Sequence, residues 1–183
     1  MTTLLEAKNQ ILALNGLPPL TDADQRNRIG VILDAAIARC TKDVLVEAWR
    51  VFGRRIDLSP DANGQIDVSG FLRVAVPSEL LDTINARNGK VWDLAEGGYY
   101  SETIEDAWVV DDMDFANIAS HQWQRYIILM AAAEVAQQVN DVDANYGVIW
   151  QQAIQARRNA YNENRVNLFE GWGVNGSLWG YLV

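Results

Sequence analysis

Apolar residues recur at steps of three and four along four stretches of the chain, which is the spacing of one helix face. The most hydrophobic stretch is Ser120–Val139, which contains no Gly or Pro and is apolar most of the way round the helix. A helix that is apolar on nearly all sides is a buried one. Arg125, Glu134 and the glutamines at both ends argue against a membrane span, which needs about 20 predominantly apolar residues. We therefore expect this stretch to be the central helix of a soluble bundle.

Three further helices are predicted around this central one. The first follows a Thr3–Glu6 capping box and ends at Asn15-Gly16, before two prolines. The second runs to about Ala48 and carries an apolar stripe over several turns. The last begins after Asn140-Asp141 and extends to Tyr161, again with apolar residues at helical spacing.

Between the second helix and the central helix, the helical period gives way to short apolar runs separated by turn residues. These runs are Trp49–Phe52, Arg55–Leu58, Phe71–Val76, Val91–Leu94, Tyr99-Tyr100 and Ala107–Val110. Asn63-Gly64, Asn88-Gly89 and Gly97-Gly98 are turn signals typical of hairpins. Pro77–Leu81 predicts one short helical turn. We therefore expect a small antiparallel sheet inserted between two helical halves.

These patterns predict a mainly α chain of the α+β class. Residues 1–48 and 111–165 are expected to form a four-helix bundle, and residues 49–110 an inserted β subdomain of antiparallel hairpins between helices 2 and 3. Residues 166–183 are expected to form an extended tail, in which glycines alternate with aromatic residues and neither period is present.

The tail either folds back on its own core or forms an arm that becomes ordered on a partner. In the second case its large apolar side chains would fill pockets on that partner. We name these residues as the candidate docking set: Phe169, Trp172, Leu178, Trp179, Tyr181 and Leu182. Seven Trp residues in 183 also favour a protein that buries surface against neighbours, because Trp is enriched at interfaces.

The formal net charge of −9 argues against a protein that wraps nucleic acid, because such proteins neutralise phosphates with Lys and Arg. The charge does not exclude a protein that merely lets DNA pass, because a negative wall repels the phosphate backbone. The stretch from Glu96 to Asp114 contains no Lys or Arg. We predict that its acidic residues form a solvent or lumen surface: Glu96, Glu102, Glu105, Asp106, Asp111, Asp112 and Asp114.

Two stretches of the sequence only partly match the pattern of a metal site. Ser59–Asp67 superficially resembles a calcium loop, but Ser59 and Gly70 stand where an EF-hand needs Asp and Glu, so we expect a turn. The aspartates at 111, 112 and 114 could hold a hard cation. We prefer the interpretation that they cap the amides at the start of the following helix. No metal or other cofactor is expected.

No catalytic residues are predicted. His121 is the single histidine, so any Ser-His-Asp or metal-histidine site must use it, and no nucleophile elbow or phosphate-binding loop is present. Cys40 is expected to be a small buried residue, and one cysteine excludes an internal disulfide. The amino terminus has no signal-peptide pattern, which predicts folding in a cytosol. A glycan hydrolase with paired carboxylates stays open as an alternative, because it leaves no motif.

The order of several segments resembles the tail tubular protein A family, the head-to-tail adaptors of short-tailed podoviruses. The similar segments are Asn9–Pro19, Trp49 with Phe52, Leu58–Ile66, Asp112–Phe115 and Ala131–Ala133. The similarity extends over roughly Leu4 to Arg165.

This resemblance implies a bundle of about four helices with an inserted β subdomain, and a virion tail protein assembled in the host cytoplasm. It further implies a ring of about twelve copies beneath the portal and above the tail nozzle, with DNA passing through its centre. The expected partners are therefore the portal protein, a nozzle protein and other copies of the chain, with no membrane. The C-terminal tail would reach the portal. A different head-completion protein that plugs the portal is an alternative, and the sequence leaves open whether the chain forms rings before it meets the portal.

Overall fold

A computed structural model describes residues 2–21, 27–139, 143–163 and 179–181, and these combine helices with antiparallel sheet. The described helices are α1 Leu4–Leu14, α2 Arg28–Glu47, α3 Trp49–Phe52, α4 His121–Val139 and α5 Asp143–Glu163. The described strands are β1 Arg54–Leu58, β2 Phe71–Pro77, β3 Ile84–Arg87, β4 Lys90–Asp93, β5 Gly98–Tyr99, β6 Ile104–Asp111 and β7 Trp179–Tyr181. The α+β class is therefore confirmed.

The chain divides into two compact units. The helical unit contains Met1–Val44 and Met113–Phe169, and the sheet unit contains Leu45–Asp112 and Glu170–Val183. Each unit is built from segments that are distant in the sequence, because the sheet segment interrupts the helical one.

Helix α4 occupies the core of the helical unit, as its composition predicts. Trp123, Ile127 and Ala131 have no solvent exposure, and the next two alanines are also buried. The ring of Trp123 meets the ring of Tyr161 on α5 edge-on, with centroids 5.0 Å apart. Across the described helices, none is both long enough and apolar enough to cross a membrane.

The two ends of α1 follow the local sequence signals. The backbone N–H of Glu6 donates to the Thr3 hydroxyl at 3.2 Å, and the Thr3 N–H donates to the Glu6 carboxylate at 2.7 Å. The bond from the Thr3 backbone lowers the pKa of Glu6. At the other end, Gly16 has a φ of +68°, and the buried Asn15 side chain donates to the carbonyls of Ile11 and Ala132. That side chain therefore joins α1 to α4.

Ion pairs connect α2 to α1 and α4. Lys8 of α1 is almost fully buried, and its ammonium lies 2.7 Å from a carboxylate oxygen of Asp34. Arg39 forms an ion pair with Glu134 of α4. A buried ammonium requires such a partner, because burying an unpaired charge is costly.

The sheet unit contains a four-stranded sheet with the order β1-β6-β2-β7 and a three-stranded sheet with the order β3-β4-β5. Each pairing in these sheets is antiparallel. Strands β3 and β4 are joined at Asn88-Gly89, where both residues have positive φ. A core of buried apolar residues includes Val74, Val76 and Val109 of the larger sheet and Val91 of the smaller.

A β-bulge interrupts β6 opposite Asp57. Ile56 pairs with Ala107 and Leu58 pairs with Ile104, so two residues of β6 face one residue of β1. Asp106 has a φ of +55°, and its N–H donates to the Asp57 carboxylate at 2.9 Å. The extra residue breaks the usual alternation, which leaves Glu105 and Asp106 both exposed.

Two segments differ from the sequence prediction. Trp49–Phe52, expected among the strands, is a single helical turn closed by a 2.7 Å bond from the Gly53 N–H to the Trp49 carbonyl. Four residues are too few for either period to be distinguished. Ile84–Arg87 is a strand that the apolar pattern misses, because two of its four residues are polar or charged.

We predict that Gly53→Ala lowers the free energy of unfolding by about 1–3 kcal/mol, because it overpacks a filled site. A Cβ at Gly53 would lie 1.9 Å from the Trp108 indole nitrogen and 2.6 Å from the Trp49 carbonyl oxygen. The matched control is Gly70→Ala, whose Cβ would meet nothing within 4 Å. Urea unfolding followed by Trp fluorescence makes the comparison. Equal midpoints for the two variants would contradict the close packing.

We predict that Asn15→Ala lowers the free energy of unfolding by about 1–3 kcal/mol, because it removes two buried side-chain hydrogen bonds. The Asn15 amide lies 2.9 Å from the Ile11 carbonyl and 3.2 Å from the Ala132 carbonyl. The control is Asn159→Ala on the exposed surface of α5, where we expect a change within about 0.5 kcal/mol. Both values come from urea unfolding monitored by circular dichroism. Similar losses in both variants would mean that the α1–α4 bond is not important.

Candidate functional site

The predicted acidic residues lie mostly in the sheet unit and are exposed, except that Asp111 is half-buried. Glu96 lies in the turn between β4 and β5, Glu102 precedes β6, and Glu105 and Asp106 form the β6 bulge. Asp112 follows β6, and Asp114 belongs to the helical unit.

The negative charge is concentrated in one unit. The sheet unit has six Lys and Arg residues and fourteen Asp and Glu residues, so it carries a net charge of −8 of the total −9. The helical unit is close to neutral. The acidic balance of the chain is therefore a property of the sheet unit.

Asp111 forms a bidentate ion pair with Arg54. The Arg54 Nε donates to Oδ2 at 2.8 Å, and Nη2 donates to Oδ1 at 3.0 Å. These hydrogen bonds lower the pKa of Asp111 and raise the pKa of Arg54.

The helix-capping interpretation of the acidic run is wrong. Helix α4 begins at His121, where the Ser120 hydroxyl accepts a 3.4 Å bond from the Trp123 N–H. Asp114 precedes a short 3-10 helix over Phe115–Asn117 and makes no side-chain cap there. Asp111 ends a strand, so its partner comes from across the sheet.

A cluster of arginine and tryptophan side chains lies within the sheet unit, which includes the last three residues of α2. We define this Arg–Trp cluster as Trp49, Trp108, Arg50, Arg55 and Arg73. The two indoles meet edge-on with centroids 6.1 Å apart, and the Trp108 N–H donates to the Trp49 carbonyl at 3.2 Å. Arg50 and Arg73 lie 5.0 and 5.7 Å from the Trp49 ring, and Arg55 lies 5.6 Å from the Trp108 ring.

The Arg–Trp cluster ties the end of α2 to the sheet. Arg73 donates to the Val46 carbonyl at 2.8 Å, which supplies one of the carbonyls at the helix end with a partner. Sequence reasoning missed this cluster. The adjacent pairs Trp49-Arg50 and Arg54-Arg55 are visible signals, but Trp108 is 59 residues from Trp49.

The C-terminal strand β7 lies on the outer edge of β2. Ala75 pairs with Tyr181, Val76 with Gly180 and Pro77 with Trp179. Trp179 and Tyr181 of the candidate docking set therefore lie in this strand. The other members, Phe169, Trp172, Leu178 and Leu182, fall outside the described residues.

The calcium-like loop is a turn, as expected. An Asp61 carboxylate oxygen accepts the N–H groups of Asn63 and Gln65 at 2.8 and 3.0 Å, and Gly64 has a φ of +71°. These bonds lower the pKa of Asp61. Within the described ranges, no group of three or more His, Cys, Asp or Glu residues is placed to hold a metal ion.

The two remaining candidates for chemistry lie on different helices. His121 is exposed at the first position of α4. Cys40 is buried on α2, as expected, and burial raises the pKa of its thiol to about 11. A thiol with so high a pKa is a poor nucleophile at neutral pH, because the thiolate is the reactive form.

Comparison with known families gives a match over most of the chain. The family model described as "Tube: Tail tubular protein" matches residues 5–167, which is most of the chain. Comparison with curated proteins gives no match. The matched range includes both helical segments and the inserted strands, and it ends before β7.

We predict that Asp111→Asn lowers the free energy of unfolding at pH 7 by about 0.2–1 kcal/mol, the range of exposed ion pairs. The Arg54 and Asp111 side chains are 54% and 40% exposed, which keeps the effect small. Because folding lowers the pKa of Asp111, the pair stabilises the fold above the unfolded pKa of about 3.9. That stability is lost as the pH falls through the lowered pKa.

Urea midpoints at pH 7 and pH 3 measure this effect, with the exposed Glu105→Gln variant as control. The deficit of Asp111→Asn should shrink on acidification. A deficit that is the same at both pH values would show that the carboxylate charge is not responsible.

Proposed function

Because this chain belongs to the tail tubular protein family, we propose that it is the head-to-tail adaptor of a short-tailed phage. Family membership supports a structural protein of the virion tail, and the match over residues 5–167 is the observation that carries the proposal. In this proposal, about twelve copies form a closed ring between portal and tail nozzle. The ring is assembled in the host cytoplasm, and DNA passes through its centre.

The distribution of charge supports a conduit for DNA. A net charge of −8 on the sheet unit repels phosphates, whereas a protein that binds the DNA backbone presents Lys and Arg to it. We propose that the exposed acidic residues between Glu96 and Asp114 face the lumen or the surrounding solvent. On this proposal the sheet unit contributes the negative surface past which DNA moves.

The ion pairs within the helical unit support the proposal that this unit is a rigid scaffold. We propose that α1, α2, α4 and α5 act together as one four-helix bundle, with α3 as a continuation of α2. The pairs Lys8–Asp34 and Arg39–Glu134 link α2 to α1 and α4, which supports this arrangement. A rigid bundle suits a ring subunit, because each copy must present the same surfaces to its neighbours.

The C-terminal tail is the proposed portal contact. It carries large apolar residues among glycines, and side chains of this kind fill pockets at the centre of interfaces. The docking set comprises Phe169, Trp172, Leu178, Trp179, Tyr181 and Leu182. The family match ends at residue 167, so this role rests on the composition of the tail.

A structural role is favoured over the glycan hydrolase, because the matched family is one of tail structure. A head-completion protein that plugs the portal would share the fold of an adaptor. The two differ in their partners, since an adaptor also contacts the tail nozzle.

We predict that mixing the chain with the portal of the same phage gives a complex whose mass includes about twelve copies. Light scattering coupled to size exclusion measures the mass of the chain alone, of the portal alone and of the mixture. Binding of the nozzle protein to that complex would separate the adaptor from the plug. If the chain does not bind the portal at micromolar concentration, the adaptor proposal is contradicted.

We predict that deletion of Asn167–Val183 leaves a folded chain that no longer docks, because the proposed anchors are removed. A matched pair of full-length variants separates the anchors from chain length: Trp172→Ser in the tail and Tyr99→Ser in the smaller sheet, where Tyr99 is 46% exposed. Docking should weaken for the first and persist for the second. If the deleted chain docks as well as the full chain, the tail assignment is wrong.

A further inference from the structure

Without β7 the larger sheet has three strands, and its two outer strands, β1 and β2, carry different side chains. Strand β1 carries Arg54, Arg55 and Asp57 among five residues, and charged side chains discourage an edge from pairing with other chains. Strand β2 carries one charged residue among seven, Arg73, which belongs to the Arg–Trp cluster. The β2 edge therefore lacks the protection that β1 has.

The part of β2 next to β7 is apolar and buried. Val74, Ala75 and Val76 are at most 1% exposed, and the two valines belong to the core of the sheet unit. Pro77 has no N–H, so the main-chain ladder must end there. An apolar edge of this kind is a template for an extended segment, which pairs through its main chain.

Strand β7 occupies this edge in the structure, in antiparallel register over Ala75–Pro77. We propose that the outer edge of β2 is a strand-binding site that stores the C-terminal strand before assembly, and that this strand must leave the site when the tail engages the portal. This inference rests on the proposed portal-docking role of the tail.

The proposal requires the two states of the tail to be exclusive. Residues 179–181 include two members of the docking set, and in the structure their main chain pairs with β2. In the proposed docked state these residues follow a pocket on the portal and no longer pair with β2. The tail then exchanges one partner for another.

The pairing is also small enough to be reversible. It covers three residue pairs, and each main-chain hydrogen bond contributes little net free energy, because water replaces it on release. Fifteen residues of sequence, 164–178, lie between the end of α5 and the start of β7. A segment of that length can span at most about 50 Å, so its length would let the strand reach a partner after release. The stored state protects the β2 edge from pairing with another chain before docking.

A reversible disulfide tests the inference. Val76 and Gly180 are direct cross-strand partners, and such pairs have Cα separations of about 4.5–5.5 Å, within the range that a disulfide needs. Neither residue belongs to the docking set. The variant Val76→Cys with Gly180→Cys should form an intramolecular bond on oxidation. Cys40 stays in place, because it is buried and its thiol has a pKa of about 11. If this variant does not fold, Ala75→Cys with Tyr181→Cys uses another partner pair of the same ladder, and Tyr181→Ser is then the reference for the loss of that anchor.

Docking is measured for the same protein, oxidised and reduced, by light scattering of its mixture with the portal and by its binding to immobilised portal. We expect the oxidised form to bind at least about tenfold more weakly than the reduced form. The control is Arg87→Cys with Lys90→Cys, a partner pair between β3 and β4, which should dock equally in both states.

The remaining outcomes separate the two proposals. Equal docking of the oxidised and reduced tail variant would overturn the storage role and leave the portal contact intact. Failure of the disulfide to form, while the control pair forms its own, would overturn the pairing of the strand with β2. Failure of the unmodified chain to dock would overturn the adaptor proposal and this inference with it.

Discussion

Helix α4 imposes the constraint on which the helical unit depends, because a helix that is apolar on nearly every side must be surrounded. Ile127 and Ala131 are fully buried, and the alanines that follow allow neighbouring helices to approach closely. Polar anchors then fix the position of the neighbours. The Asn15 amide donates to the Ala132 carbonyl, and the Thr2 N–H donates to the Gln124 side-chain oxygen at 3.2 Å. Apolar burial thus provides the stability, and these few hydrogen bonds provide the register.

The sheet unit is constrained by its edge strands, because the outer strands of an open sheet have unpaired main-chain groups. Charge protects the β1 edge, and the chain terminus covers the β2 edge. Residues 179–181 are too few to show a period in the sequence, and their pairing is set by β2. The same segment serves the fold in one state and is proposed to serve assembly in another.

The sequence predicts those features whose cause is local. The Thr3–Glu6 capping box, the stop at Asn15-Gly16 and the burial of α4 are confirmed, because each depends on residues within a few turns of one another. Features with distant partners are missed. Arg54 and Asp111 are 57 residues apart, and a local rule therefore assigned the aspartate to a helix cap when its partner is an arginine across the sheet. The Arg–Trp cluster is missed for the same reason, and its arginines join residues that no periodicity relates.

The separation of charge between the two units has a physical consequence for any ring. Charges interact over about 8 Å at physiological ionic strength, so a net charge of −8 acts mainly on what passes the sheet unit itself. Several of its arginines are already engaged, Arg54 with Asp111 and Arg73 with Trp49 and Val46, which leaves the acidic groups to determine the outer potential. The nearly neutral helical unit can meet a second copy without a comparable repulsion. If the proposed ring forms around DNA, an acidic sheet unit that faces its lumen would repel the passing phosphates.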